Sequence, residues 1–347
     1  MALKWPGGLI TKTKVTPAGP TEGGAASGIW TITEALQWVG KELWPTAGNT
    51  FNPVIFIGGI GTNSQKIEQV NPATTGNAAL WADLSANTRY SAGSGNATRA
   101  VWAPMQGDND LIQYIDYASG GTGATFGNLF DNLNYTGTSS LSNSTRACFA
   151  GGDDGDARDV ICYITLSSTG DATDFGDLTI ARYYIVGMAS ATRGLWCGGE
   201  ASNDATTRVD YITVASTGNA IDFGGVNTSG SPGGAWAGAG GANTVTGIYA
   251  GGSNNGSSSA MNIIEERTIA SLGDFSDFGD LSTTRMWMGG ASSSTRVLFG
   301  GGQDASSVST DTIEYVTIAS SGNAVDFGNL TAAKTRVAGA SAVQGNL

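Results

Sequence analysis

The chain has 347 residues, of which 53 are glycine, 40% are hydrophobic and only 13% are charged. That is the balance of many short strands joined by tight turns, and it excludes a disordered polymer. A net charge of −12 without a Lys/Arg cluster opposes a phosphate backbone, and no run of about 18 apolar residues occurs, so neither nucleic acid nor membrane insertion is expected.

Residues 1 to 50 do not repeat and hold four of the nine tryptophans, Trp5, Trp30, Trp38 and Trp44. The start, "MALKWPGGLI", has no apolar segment followed by a cleavage site, so no secretion signal is expected. "VTPAGPTEGGAASG" (15 to 28) is an extended linker by composition. "TITEALQWVGKEL" then sets Thr31 and Glu34 in capping-box spacing and places Ile32, Leu36, Val39 and Leu43 on one helical face, which predicts a helix over about 31 to 43. A helix of about three turns is marginal alone. Its apolar stripe and tryptophans are expected to bury either against the remainder of this chain or against another subunit.

From residue 51 onward four short motifs recur in fixed order at steps of about 45 to 55 residues. An aromatic precedes small residues in "FIGG", "WAPM", "FAGG", "WCGG", "YAGG" and "FGGG". Alternating runs follow, such as "VICYI", "RVDYI" and "TIEYV", whose side chains point to opposite sides of a strand. Next comes a turn such as "ASTGNA" and then the segments "LWADL", "TFGNL", "DFGDL", "DFGGV", "DFGDL" and "DFGNL". The fourth motif is a Gly/Ala/Ser strand, for example "VGMAS" or "AGASA". Six copies of four strands without helical periodicity predict an all-β, six-bladed β-propeller over 51 to 347. The set enters at the Gly-Gly strand near Phe56 and leaves after the Gly/Ala strand near Ser341. One blade must therefore be completed by both ends, with the C-terminal strand beside residues 53 to 59.

"DATDFGDLTIAR" contains the triplet that holds magnesium in protein kinases. A catalytic triplet is needed once, however, and near-copies around Trp81, Phe126, Phe223, Phe278 and Phe327 make it architecture. Its Phe and the aromatic of the Gly-Gly strand are expected to fill the gaps between blades. Thr98-Arg99, Thr145-Arg146, Thr192-Arg193 and Thr295-Arg296, together with Asp174, Asp222, Asp277 and Asp326, are expected to serve turn bonding and ion pairing between strands. The absence of histidine removes His-based triads and most zinc sites, so no catalytic residue, cofactor or metal is expected. The acidic loop "GGDDGDARD", with Asp153 and Asp154, lacks EF-hand spacing; a solvated loop is the reading, with calcium as the alternative. Cys148, Cys162 and Cys197 are an odd, sparse set, expected to be small strand residues without a disulfide. The loops between second and third strands differ from copy to copy, and the connection "NTSGSPGGAW" is longer than its counterparts. Trp236, Asn254, Asn255 and Gln303 on that face are therefore the candidate contacts for a partner protein or a cell-surface glycan.

"DLTIAR", "VGMASATR", "GLWCGG" and "RVDYITVASTGNAIDFGG" resemble kelch repeats, and the wording of the whole repeat looks closer still to kelch-like propellers in virion proteins of tailed bacteriophages. The copies with "WAPMQG" and "NIIEERTI" depart from the pattern, having lost the Gly pair and the tyrosine respectively. "GAASGIWTITEALQWVGKELWP" is similar to a short segment of phage tail-fibre and related virion proteins. The resemblance implies a non-enzymatic virion protein, a tail fibre or tail appendage, assembled in the host cytoplasm and forming homo-oligomers in the particle. Residues 1 to 50 would attach it to other virion proteins, and the propeller would be displayed for host recognition. A capsid decoration or connector subunit, or an independent lectin-like propeller, are the alternatives.

Overall fold

The computed structural model describes residues 53–85, 92–103, 110–130, 137–227, 233–254 and 259–342, together with two short strands near the N-terminus. The chain divides into two compact units, Met1–Phe51 and Asn52–Leu347. In the first unit, Lys4–Trp5 and Gly8–Leu9 pair antiparallel. The expected helix, with Trp30, Ile32, Leu36, Trp38, Val39, Leu43 and Trp44, lies outside the described residues.

The second unit is a six-bladed β-propeller. Blade one is built from Ala338–Ser341, Val54–Ile57, Lys66–Val70 and Ala79–Asp83, counted from the axis outward. It is the blade shared by both ends of the ring. Val54 pairs with Ser341 and Ile57 with Ala338 in an antiparallel register, the closure expected from the order of motifs. A second clasp joins the same ends, since Ile60 and Gly61 pair with Thr335 and Lys334 at the end of the outer strand of blade six. Blades two to six follow in chain order, with innermost strands Ala92–Gly95, Ser139–Ser142, Val186–Ala189, Ala239–Ala242 and Gly289–Ser292. Each innermost strand touches the next, and the last touches the first, so the six small-residue strands form a closed ring about the axis. A side chain at Gly93, Gly187, Gly290 or Gly339 would strike the backbone of the neighbouring inner strand, which is why this motif is written in Gly, Ala and Ser.

The aromatics fill the wedges between blades. Phe126 of blade two shares a core with Phe149 of blade three, Phe175 with Trp196, Phe223 with Tyr249, and Phe278 with Phe299. In the kinase-like triplet the Phe is the extra residue of a β-bulge: Ile161 pairs with Gly176 and Cys162 with Asp174, skipping Phe175. The bulged strand also stitches neighbouring blades. Gly170, Gly218, Gly273, Gly322 and Gly76 each donate an N–H to the carbonyl of the Phe in the preceding blade, at 2.7 to 2.8 Å. The turn glycine approaches the triplet glycine so closely that a side chain on Gly176 would meet the Gly218 carbonyl. That contact, repeated between five pairs of blades, explains why the sequence carries Phe-Gly so often.

The recurrent arginines differ from the simple expectation. The turns are bonded as foreseen, with Asn96, Asn143 and Asn243 accepting from following backbone N–H groups. The guanidinium groups, however, lie over tyrosine rings: Arg99 on Tyr114, Arg146 on Tyr163, Arg193 on Tyr211 and Arg296 on Tyr315, at 4.3 to 4.7 Å from the centroid. Each then donates to a carbonyl of the following blade, Leu166, Val214, Ile269 and Pro72. The tyrosines in turn meet Phe126, Phe175, Phe223 and Phe327 edge to face. Blade five has Thr246 and Glu266 in place of the Arg and Tyr, and blade one has Pro53 and Gln69, so the two partners are lost together. Among these arginines, Arg99 also pairs with an acid, Asp116, at 2.7 Å. Cys148, Cys162 and Cys197 are buried and free.

Candidate functional site at the axial mouth

The connectors that lead into the innermost strands share one face with the loops between second and third strands. Among the described residues, three connectors carry a buried cation. Arg182 pairs with Asp210 at 2.9 Å, Arg285 with Glu314, and Lys334 at the end of blade six with Glu68 of blade one, all essentially without solvent. The acid also accepts the backbone N–H that opens the connector, from Thr179, Ser282 and Thr331. Blade five keeps the acid, Glu265, which accepts from the Asn227 N–H at 2.7 Å, but has Ala235 where the cation stands elsewhere. Burial, followed in size by the opposing Asn227 hydrogen bond and repulsion from Asp277, holds the Glu265 carboxyl above its ordinary range. The Gly pairs lock onto these connectors: Gly152, Gly199, Gly252 and Gly302 donate to the carbonyls of Arg182, Ala235, Arg285 and Lys334. With φ of +65°, Gly151 occupies backbone space that an L side chain adopts at a cost.

Two residues beyond each cation position the backbone turns left-handed, at Gly137 (φ +78°), Tyr184 (+54°), Ala237 (+55°), Trp287 (+61°) and Arg336 (+58°). These residues form a chain of hydrogen bonds around the axis. Tyr184 N donates to Gly137 O, Ala237 N to Tyr184 O, Trp287 N to Ala237 O and Arg336 N to Trp287 O, at 2.7 to 3.0 Å. These four bonds link five connectors along the axial mouth whatever the side chain, and glycine suits the left-handed backbone without strain. Tyr, Trp and Arg each hold it at about 1 kcal/mol.

Their side chains assemble a single aromatic cluster. Tyr184 meets Trp287 edge to face at 4.5 Å and Trp236 at 5.6 Å, Trp236 lies 5.4 Å from Trp287, and Tyr183 packs on Tyr184 at 4.8 Å. The Arg336 guanidinium sits 5.2 Å from the Trp287 centroid. Tyr184, Trp287 and Arg336 wall an open depression of about 80 Å³, floored by Thr138, Ile185, Gly238, Met288 and Val337. Beneath it, a second cavity of about 110 Å³ runs between the innermost strands. On the outer side of the cluster, Tyr183 and Glu200 are hydrogen-bonded. Burial, with Glu200 beside it, pushes the Tyr183 hydroxyl up to about 12, and burial raises the Glu200 carboxyl.

Of the residues singled out from sequence, Trp236 is in this cluster, though it is 8% exposed and backs the other rings. Gln303 is buried; its backbone pairs with Met286 and Ser309, and its side-chain oxygen accepts from Thr335. Asn254 is half-buried in the loop after Ser253, and Asn255 lies outside the described residues. Asp153 accepts the Gly155 N–H and Asp154 pairs with Arg158 at 2.7 Å, a bond that lowers the Asp154 carboxyl. These carboxylates thus serve their own loop, and among the described residues no group of three or more acids, cysteines or histidines is placed to hold a metal ion. Tyr184, Trp287 and Arg336 escaped the sequence reading because they fall just before the repeat motifs, where other copies carry Gly or Ala. The available signal was the aromatic excess in "ARYYIVG" and "TRMWMGG".

No protein-family model and no curated protein matches the chain. Among solved structures, one titled "Structure of YjhT" matches with a TM-score of 0.62 and 12% identity, covering 79% of this chain and 94% of that one. At that identity the likeness extends to the fold alone: the chain shares a propeller architecture with that protein.

Proposed function

We propose that this chain is a non-enzymatic recognition protein of a bacteriophage particle, a tail fibre or tail-associated appendage. In this reading residues 1 to 50 attach to other virion proteins and the kelch-like propeller is displayed. The observation that carries recognition is the cluster of Tyr184, Trp236 and Trp287 at the axial mouth, in which Tyr184 and Trp287 are held in left-handed backbone where the fold accepts glycine. Bulky aromatics kept in left-handed backbone within an otherwise repetitive scaffold support a binding surface. Attachment to a particle is supported by the sequence resemblance of the first fifty residues and of the repeat. The test is co-purification: the full chain is expected to sediment with assembled particles, and a chain lacking residues 1 to 50 to remain in the supernatant. Equal sedimentation of both, or of neither, would overturn the attachment reading.

A further inference from the structure

The geometry points to a binding site for a small monovalent cation, potassium or ammonium, at the Glu265 carboxylate of blade five. The propeller builds one oxygen cradle repeatedly. In blade four the carbonyls of Gly198 and Arg208, with Asp210, receive the guanidinium of Arg182; in blade six the carbonyls of Gly301 and Thr312, with Glu314, receive that of Arg285. In blade one the ammonium of Lys334 suffices, bonded to Glu68 and to the Asn63 carbonyl. Blade five keeps the oxygens. Gly251 donates to the Ile263 carbonyl just as Gly198 does to Arg208 and Gly301 to Thr312, and Glu265 holds the acid position. Ala235 stands four residues before the inner strand that begins at Ala239, as Arg182, Arg285 and Lys334 stand before Val186, Gly289 and Ala338. The connector therefore brings no charge of its own into the cradle.

Neighbouring side chains do not make up the difference. Arg267, two residues along the strand from Glu265, donates to the carbonyls of Ser271 and Leu272. The position of Arg208, which pairs with Asp222 in blade four, is Ile263 in blade five. The Asn227 side-chain amide donates to the Gly234 carbonyl and to Met261 Sδ, so Glu265 is bonded through the Asn227 backbone N–H. Tyr249, its cross-strand neighbour, adds a buried hydroxyl that has no hydrogen-bond partner. One carboxylate among neutral oxygens balances a single charge, and oxygen donors suit a hard ion. Glu265 is 8% exposed where Asp210 and Glu68 are 0%, so the carboxylate is reached from solvent, and a net charge of −12 draws cations to it. Ala235 leads directly into Trp236, and a bound ion thereby ties the connector of the axial cluster to blade five.

Thermal unfolding of the full chain at neutral pH and constant ionic strength tests the site, with tetramethylammonium chloride, whose cation is too bulky for the cradle, replaced stepwise by potassium or ammonium chloride. The native midpoint is expected to rise by about 2 °C or more and to saturate. Ala235→Lys supplies the ammonium from the chain, as Lys334 does in blade one, and should begin at the higher midpoint and lose the response. Glu265→Gln removes the charge while keeping an acceptor for the Asn227 N–H, so it should fold with a midpoint in tetramethylammonium no lower than the native one and give no response. It decides the question if Ala235→Lys fails to fold. A native midpoint that does not move, a rise with calcium chloride alone, or a full potassium response in Glu265→Gln would each overturn the site.

Discussion

Replacement of Arg182 by Met tests the buried connector network most sharply. Arg182 is fully buried and donates to the carbonyls of Gly198 (2.6 Å), Arg208 (2.6 Å) and Trp196 (3.2 Å) as well as to Asp210 (2.9 Å). Its loss strands a buried carboxylate whose remaining partners are the Thr179 N–H and hydroxyl, and leaves three carbonyls without that donor. Breaking a buried pair from one side costs about 3 to 5 kcal/mol, a large part of the 5 to 15 kcal/mol of a typical domain. Adding Asp210→Asn removes the stranded charge while keeping an acceptor for Thr179, so Arg182→Met/Asp210→Asn is expected to recover about 2 kcal/mol relative to Arg182→Met. Urea unfolding of the four proteins of the cycle at neutral pH measures both quantities. A cost below about 1 kcal/mol for Arg182→Met, or no recovery in the double variant, would refute the assignment of the network as a stability determinant.

The same network predicts a pH effect in blade five. The folded carboxyl of Glu265 titrates above its unfolded value, so the native state binds the extra proton and this contribution is full below the unfolded value of about 4.3 and lost as pH rises through the folded one. Glu265→Gln is thus expected to stabilise the protein at pH 7 and to change little at pH 4, read as a shift in urea midpoint; a uniform effect at both would contradict it. Phe149→Ala, at a side chain 1% exposed between blades two and three, should cost about 3 to 5 kcal/mol in the same assay. Ending the chain at Thr335 removes Ala338–Ser341 and bares the edge of Val54–Ile57. Hydrogen exchange should then rise in every blade, and acceleration confined to blade one would show that the ring does not close cooperatively.

The architecture was legible in the sequence because each motif answers to one geometric need repeated six times. The Gly/Ala strand is small where inner strands converge, the Phe-Gly pair makes a bulge beside a neighbouring turn glycine, and the offset order of motifs dictated the pairing of Val54–Ile57 with Ala338–Ser341. The arginine role was only half legible. Thr-Arg recurs plainly, but its partners are a tyrosine ring on the next strand and a carbonyl of the following blade, the latter 67 to 76 residues away for Arg99, Arg146 and Arg193, which no local pattern displays. The axial cluster was least legible, because Tyr184, Trp287 and Arg336 are single exceptions to a repeat and their meaning lies in a left-handed backbone that residue type conceals. Gln303 illustrates the converse: a loop that varies in sequence still begins with a residue bonded into the connector.

The most direct measurement of the central claim is cryo-electron microscopy of particles that contain this chain. The account predicts density for residues 1 to 50 against another virion subunit, with the face bearing Tyr184, Trp236 and Trp287 directed away from the particle and open to solvent. Density in which that face is covered by the particle, or recovery of the chain solely as a free protein, would contradict it.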